Sequence, residues 1–105
     1  MPRPKNGFSP DTVQSIRERD HDKCRRCGKG GAGGLFGMHT HHIIYKSQGG
    51  LGVESNGARL CNECHAAVHS EGRRAREILQ IIVAAEAFLT WRQAERLWER
   101  ENDNE

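Results

Sequence analysis

No stretch of this 105-residue chain is long and apolar enough to span a bilayer. The best candidate, residues 78–89, is too short and carries Gln80 and Glu86. No apolar signal region follows Met1-Pro2-Arg3-Pro4-Lys5, so the expectation is a cytoplasmic protein with no membrane partner. No Walker or Rossmann glycine pattern occurs; the glycine-rich run from Lys29 to Gly34 therefore reads as a surface loop and not as a phosphate cradle. No internal repeat is found. Excess charge of one sign is nearly lacking too: 16 Lys and Arg against 14 Asp and Glu leave +2, which does not by itself argue for nucleic acid. Apolar residues make up only 35% and charged residues 29%. A single domain this small and polar buries little apolar surface, and a structural metal would compensate.

What the chain does have is four cysteines in two Cys-x-x-Cys pairs, Cys24/Cys27 and Cys61/Cys64. A two-residue gap lets both sulfurs of a pair turn toward one ion, and four thiolates make the closed tetrahedral site that structural zinc prefers. Gly28 supplies the freedom a tight knuckle turn needs. A redox dithiol belongs beside a βαβ pattern that is missing here, and two disulfides do not suit a reducing compartment. Zinc is the reading adopted.

The local signals give an α+β chain. Ser9-Pro10-Asp11 starts a short helix over about residues 10–19, with Val13 and Ile16 on its apolar face. Residues 35–45 are the best strand, placing Met38, Thr40, His42 and Ile44 on one face and His39, His41, Ile43 and Tyr45 on the other. A second short strand holds Arg59 and Leu60, and a helix beginning near Cys61 to Cys64 carries His65 and His69. Gly72 marks its end or a bend. Residues 73–89 are helical in composition. Thr90-Trp91-Arg92-Gln93 has the pattern of a capping box, which predicts a break and a last helix from Trp91 to about Glu101. The expected units are a flexible tail 1–8, a core 9–72, a helical extension 73–101 and a disordered tail 102–105. Leu97 and Trp98 either fold back on the core or face a second copy of the chain in a weak homo-oligomer.

Five of the six histidines lie between residues 39 and 69. His41 and His42 are adjacent on a strand, so their side chains point to opposite faces and do not easily share an ion. His65 and His69 are four residues apart on a helix, which suits gripping one ion. His65 also stands about 100° around that helix from Cys64, so sulfur and imidazole can serve different metals.

In order, Cys24/Cys27, His41-His42-Ile43, Asn56, Cys61/Cys64, His65 and His69 resemble the HNH endonucleases, the ββα-metal (His-Me finger) nucleases, over residues 12–70. The resemblance implies a small ββα-metal core stapled by a four-cysteine zinc site, with an N-terminal helix and a C-terminal helical extension. It implies that His41 and His65 hold a divalent metal, with His69 as a further ligand or a phosphate contact, that His42 is the general base, and that Asn56 braces the loop beside it through side-chain-to-backbone bonds. The family usually has an apolar residue after this Asn; here it is Gly57. The implied activity is hydrolysis of DNA, with RNA as the alternative substrate, and Arg25, Arg26 and Arg73 are the expected phosphate contacts. A histidine ligand set suits zinc, nickel, cobalt or manganese better than magnesium. The rival reading is a zinc module that binds nucleic acid or protein without catalysis. His39 and His21 are read as non-catalytic.

Overall fold

A computed structural model describes residues 6–30 and 37–103. The glycine-rich run over 31–34, the first two residues of the expected strand and the outermost residues of both tails lie outside the described residues. The order is α1 (Pro10–Arg19), β1 (Met38–His42), β2 (Gly57–Cys61), α2 (Asn62–Glu71), α3 (Arg73–Ala84) and α4 (Trp91–Asn102), with short 3-10 turns at Lys46–Gln48 and Glu54–Asn56. β1 and β2 form an antiparallel pair, with His41 opposite Ala58 and His42 opposite Gly57. The result is the α+β fold expected of a ββα-metal core, and no helix among the described residues is long and apolar enough to cross a membrane.

Helices α1 and α4 start where their capping side chains place them. The Ser9 hydroxyl accepts from the Thr12 N–H at 3.1 Å, ahead of Pro10 at the first helical position. At α4 both halves of the capping box are made: Gln93 N–H donates to Thr90 Oγ1 at 3.1 Å, and Thr90 N–H donates to Gln93 Oε1 at 2.8 Å. Gly72, with φ of +65°, separates α2 from α3. The core joins Ile43, Ala58 and Leu60 to Val68 of α2, Ala75, Ile78, Leu79 and Ile82 of α3, and Ala94 of α4. Trp98 folds back onto α3, its indole N–H donating to Glu77 Oε1 at 2.9 Å, whereas Leu97 is exposed.

Helical composition runs to Leu89, yet α3 stops at Ala84 and the chain leaves the helix at Ala85 with φ −76° and ψ 141°. Tertiary contacts override propensity here. The Leu89 carbonyl accepts from Arg25 Nη2 at 2.6 Å. Phe88 stacks on His21 with centroids 4.3 Å apart, and the Arg25 guanidinium lies 3.9 Å over its ring. Residues 85–89, helical in composition, therefore lie outside α3.

One fully buried carboxylate ties the outer helices to the sheet. Asp20 accepts from Arg25 Nη1 at 2.7 Å, from Arg19 Nε at 2.8 Å and from the Arg59 backbone N–H at 2.9 Å. It thereby joins the end of α1, the first knuckle and β2. Asp20→Ala leaves the buried Arg25 without its anion and should cost about 3–5 kcal/mol, read from the urea midpoint followed by circular dichroism.

Candidate metal centres and active site

The two Cys-x-x-Cys segments converge. Cys24 to Cys27 form a turn closed by Gly28 N–H to Cys24 O at 2.9 Å and by Cys24 N–H to Lys29 O at 2.9 Å, with Gly28 at φ +81°. Arg25 N–H donates to Arg59 O at 2.8 Å, so the turn leans on β2. Cys61 is the N-cap of α2, its sulfur accepting from the Cys64 N–H at 3.4 Å. All four sulfurs lie within 4.8 Å of one another. The Cys27 and Cys61 sulfurs are 3.9 Å apart. Tetrahedral zinc with bonds of about 2.3 Å requires about 3.8 Å, so the donor set fits that ion. Burial pushes the Cys24 thiol up, but N–H groups of Cys27, Cys61 and Arg26 outweigh it and bring it to about 7, while burial pushes Cys64 well up. Arg26 Nη1 reaches Cys64 Sγ at 3.7 Å, where it would offset the charge of a metal-bound thiolate.

A second cluster stands on the other side of Cys64. His41 on β1 meets His65 and His69 on α2, and their ligand nitrogens lie within 4.8 Å of one another. The Nε2 atoms of His65 and His69 are 3.3 Å apart. Two imidazoles bound to one tetrahedral ion at about 2.05 Å stand about 3.3 Å apart. Tyr45 Oη is 3.0 Å from His69 Nδ1, which leaves Nε2 as that ring's inward nitrogen. His41 is 5% exposed. Burial, then the neighbouring His65 and His69, hold its pKa down at about 4, and burial with His39 and His69 lowers His65. Both rings are thus disposed to be neutral, the form that binds metal.

His42 faces away from the triad's ring cluster yet lines the same open hollow of about 380 Å³ as His41, His65 and His69, with Tyr45 and Lys46 on its rim. Asn56 grips the following residues. Its Oδ1 accepts from Ile44 N–H at 2.8 Å, its Nδ2 donates to Ile44 O at 3.0 Å and to Leu51 O at 2.9 Å, and its own carbonyl accepts from Ile43 N–H at 2.9 Å.

Residues 24–71 match the family described as HNH endonuclease. This segment is an HNH domain. The match takes in both knuckles, both strands and α2, and it leaves out α1, α3 and α4. Among curated proteins none matches the chain. The HNH domain is of the nuclease type, and its four-cysteine cluster is compatible with structural zinc.

The three expected phosphate contacts each pair with groups of the chain itself, Arg25 in the interior and Arg73 on the exposed surface. Arg25 is buried, with its guanidinium on Asp20 and Leu89 O, so it is not available to a ligand. Arg26 is paired with Glu71 and with Cys64 Sγ, and Arg73 with Glu77. None of them lines the hollow of the HNH domain. Tyr45 and Lys46, which line the hollow, were not singled out in the sequence. Tyr45 carried no signal beyond lying on the His41 face of the expected strand. His39 stacks on His65 with centroids 4.5 Å apart and its Nε2–H donates to Asn62 Oδ1 at 2.9 Å, so it lies beside the HNH triad without joining it.

Elemental mass spectrometry should find one zinc per chain that survives His41→Ala and His65→Ala but is lost with Cys61→Ser, and strong chelation should lower the melting temperature sharply. Acid should destabilise the metal-free chain. An unfolded histidine takes up a proton below about 6.5, whereas folded His41 refuses it until about 4. Stability should therefore fall by roughly 1–3 kcal/mol as pH drops through that window, as read from urea midpoints.

Proposed function

We propose that the protein is a metal-dependent endonuclease that hydrolyses DNA phosphodiester bonds, with His42 as general base. The observation that carries this reading is that His42 and a convergent three-histidine ligand set line one open hollow. His41, His65 and His69 would hold the divalent ion. Bound there, the metal supplies positive charge to the phosphate and to the departing 3′ oxygen. Neutral imidazoles favour zinc, nickel, cobalt or manganese over magnesium.

His42 takes a proton from a water as its oxygen attacks phosphorus; the bond from phosphorus to the 3′ oxygen breaks, and that oxygen takes a proton from solvent water, leaving a 5′-phosphate and a 3′-hydroxyl. A histidine suits this task because its ordinary pKa lies near neutrality. Asn56, by holding Ile43 and Ile44, keeps the residues after His42 in place. Lys46 stands on the rim of the hollow, where a cation meets phosphate oxygens. A zinc module that only binds is the reading against which the experiment discriminates.

Supercoiled plasmid incubated with the protein and each of several divalent metals should be nicked. His42→Ala should lower the rate by roughly 10²- to 10⁴-fold while retaining the metal. Equal nicking by wild type and variant would remove His42 as the base. No nicking by wild type with any metal would leave the binding module. A parallel RNA substrate identifies which nucleic acid is cut.

A further inference from the structure

The residues just before α1 lie outside the HNH match, yet they close over His42. The Asn6 carbonyl accepts a hydrogen bond from His42 Nε2, and the Phe8 ring stacks on the imidazole with centroids 4.0 Å apart and planes 29° from parallel. A carbonyl oxygen only accepts, so Nε2 carries the hydrogen. In the neutral ring Nδ1 is then the one nitrogen with a free lone pair.

The surface beneath this segment is shaped to receive it. Asn6 Nδ2 donates to Gly50 O at 2.8 Å. A Cβ at Gly52 would fall 2.1 Å from the Gly7 carbonyl oxygen. A Cβ at Gly57 would fall 2.3 Å from Ile16 Cδ1 and 3.0 Å from Phe8 Cζ. Gly57 is the residue that pairs with His42 across the sheet. The glycine that replaces the family's usual apolar residue after Asn56 therefore has a physical reason: Phe8 and Ile16 occupy that side chain's space.

We propose that Asn6–Phe8 is a positioning element of the nuclease site, which fixes the Nε2–H tautomer and the ring rotation of His42 so that Nδ1 takes the proton from water. It rests on the reading of His42 as the base. The Asn6 carbonyl sets which nitrogen is protonated, and the Phe8 ring holds the imidazole against rotation. Neither group touches the substrate; both act through His42.

Two measurements test it. In the wild-type protein, long-range proton–nitrogen correlation spectra of the His42 ring should show Nε2 protonated and Nδ1 bare, a readout independent of turnover. Phe8→Ala should lower kcat for plasmid nicking by roughly 10- to 100-fold with KM and metal content unchanged, and Phe8→Trp, which restores a stacking face, should recover most of it. Gly52→Ala, which displaces the Gly7 carbonyl, should act like Phe8→Ala. If Phe8→Ala unfolds the chain, the wild-type spectrum and Gly52→Ala decide. A wild-type ring protonated at Nδ1, or nicking by folded, metal-loaded Phe8→Ala within about threefold of wild type, would overturn the proposal. The two readings fail separately. Active His42→Ala removes the base itself, whereas inactive His42→Ala beside active Phe8→Ala removes only the positioning element.

Discussion

The convergence of four sulfurs at the start of α2 is the constraint on which the site depends. Cys61 caps that helix and Cys64 lies in its first turn, so a cation held there with Cys24 and Cys27 fixes where the helix begins and how it is rotated. His65 is the next residue. About 100° of helical rotation turns it away from the sulfurs, toward His41 and His69. A domain with so small an apolar core has little else to set a helix orientation to a fraction of an ångström. The sulfur site thus determines whether three imidazoles converge at all.

Around that centre the protein uses buried charge where a larger domain would use hydrocarbon. Asp20 is wholly buried and receives Arg19, Arg25 and the Arg59 backbone N–H. Arg25 extends the link to Leu89 O, and so draws the connection between α3 and α4 against the first knuckle. Breaking such a pair is costly because the remaining charge has no water to turn to. The same arginines therefore have structural work that competes with any role on phosphate. A run of cations around a knuckle looks alike in sequence whether it faces solvent or an internal carboxylate.

What could be read in the sequence was local. The Ser9 cap, the Thr90 capping box, the Cys-x-x-Cys turns and the His65/His69 spacing each depend on residues within a few positions, and each element begins where those signals lie. The end of α3 was not legible. Residues 85–89 have helical composition, and what stops the helix at Ala84 is the capture of Phe88 and Leu89 by His21 and Arg25, more than sixty positions away. The bond between Tyr45 and His69 and the cover that Asn6 and Phe8 place on His42 were hidden for the same reason. Gly57 is the instructive case. In the sequence it is only a departure from the family's usual apolar residue, and the packing of Phe8 and Ile16 shows why a side chain is excluded there.

The separate environments of His41 and His42 follow from the pleat and the register together. Alternation sends neighbouring side chains to opposite faces, one toward α2 and the other toward the segment before α1. A slip of one residue between β1 and β2 would exchange the two rings, putting His42 among the ligand histidines and His41 under Phe8. Two short strands alone are a weak guarantee against that slip. Asn56 supplies the missing specificity. Its backbone carbonyl holds Ile43, and its side chain holds both the N–H and the carbonyl of Ile44, one residue beyond. A displaced register would leave these polar groups without partners. The asparagine thus protects the separation of the two imidazoles through bonds to the residues that follow them.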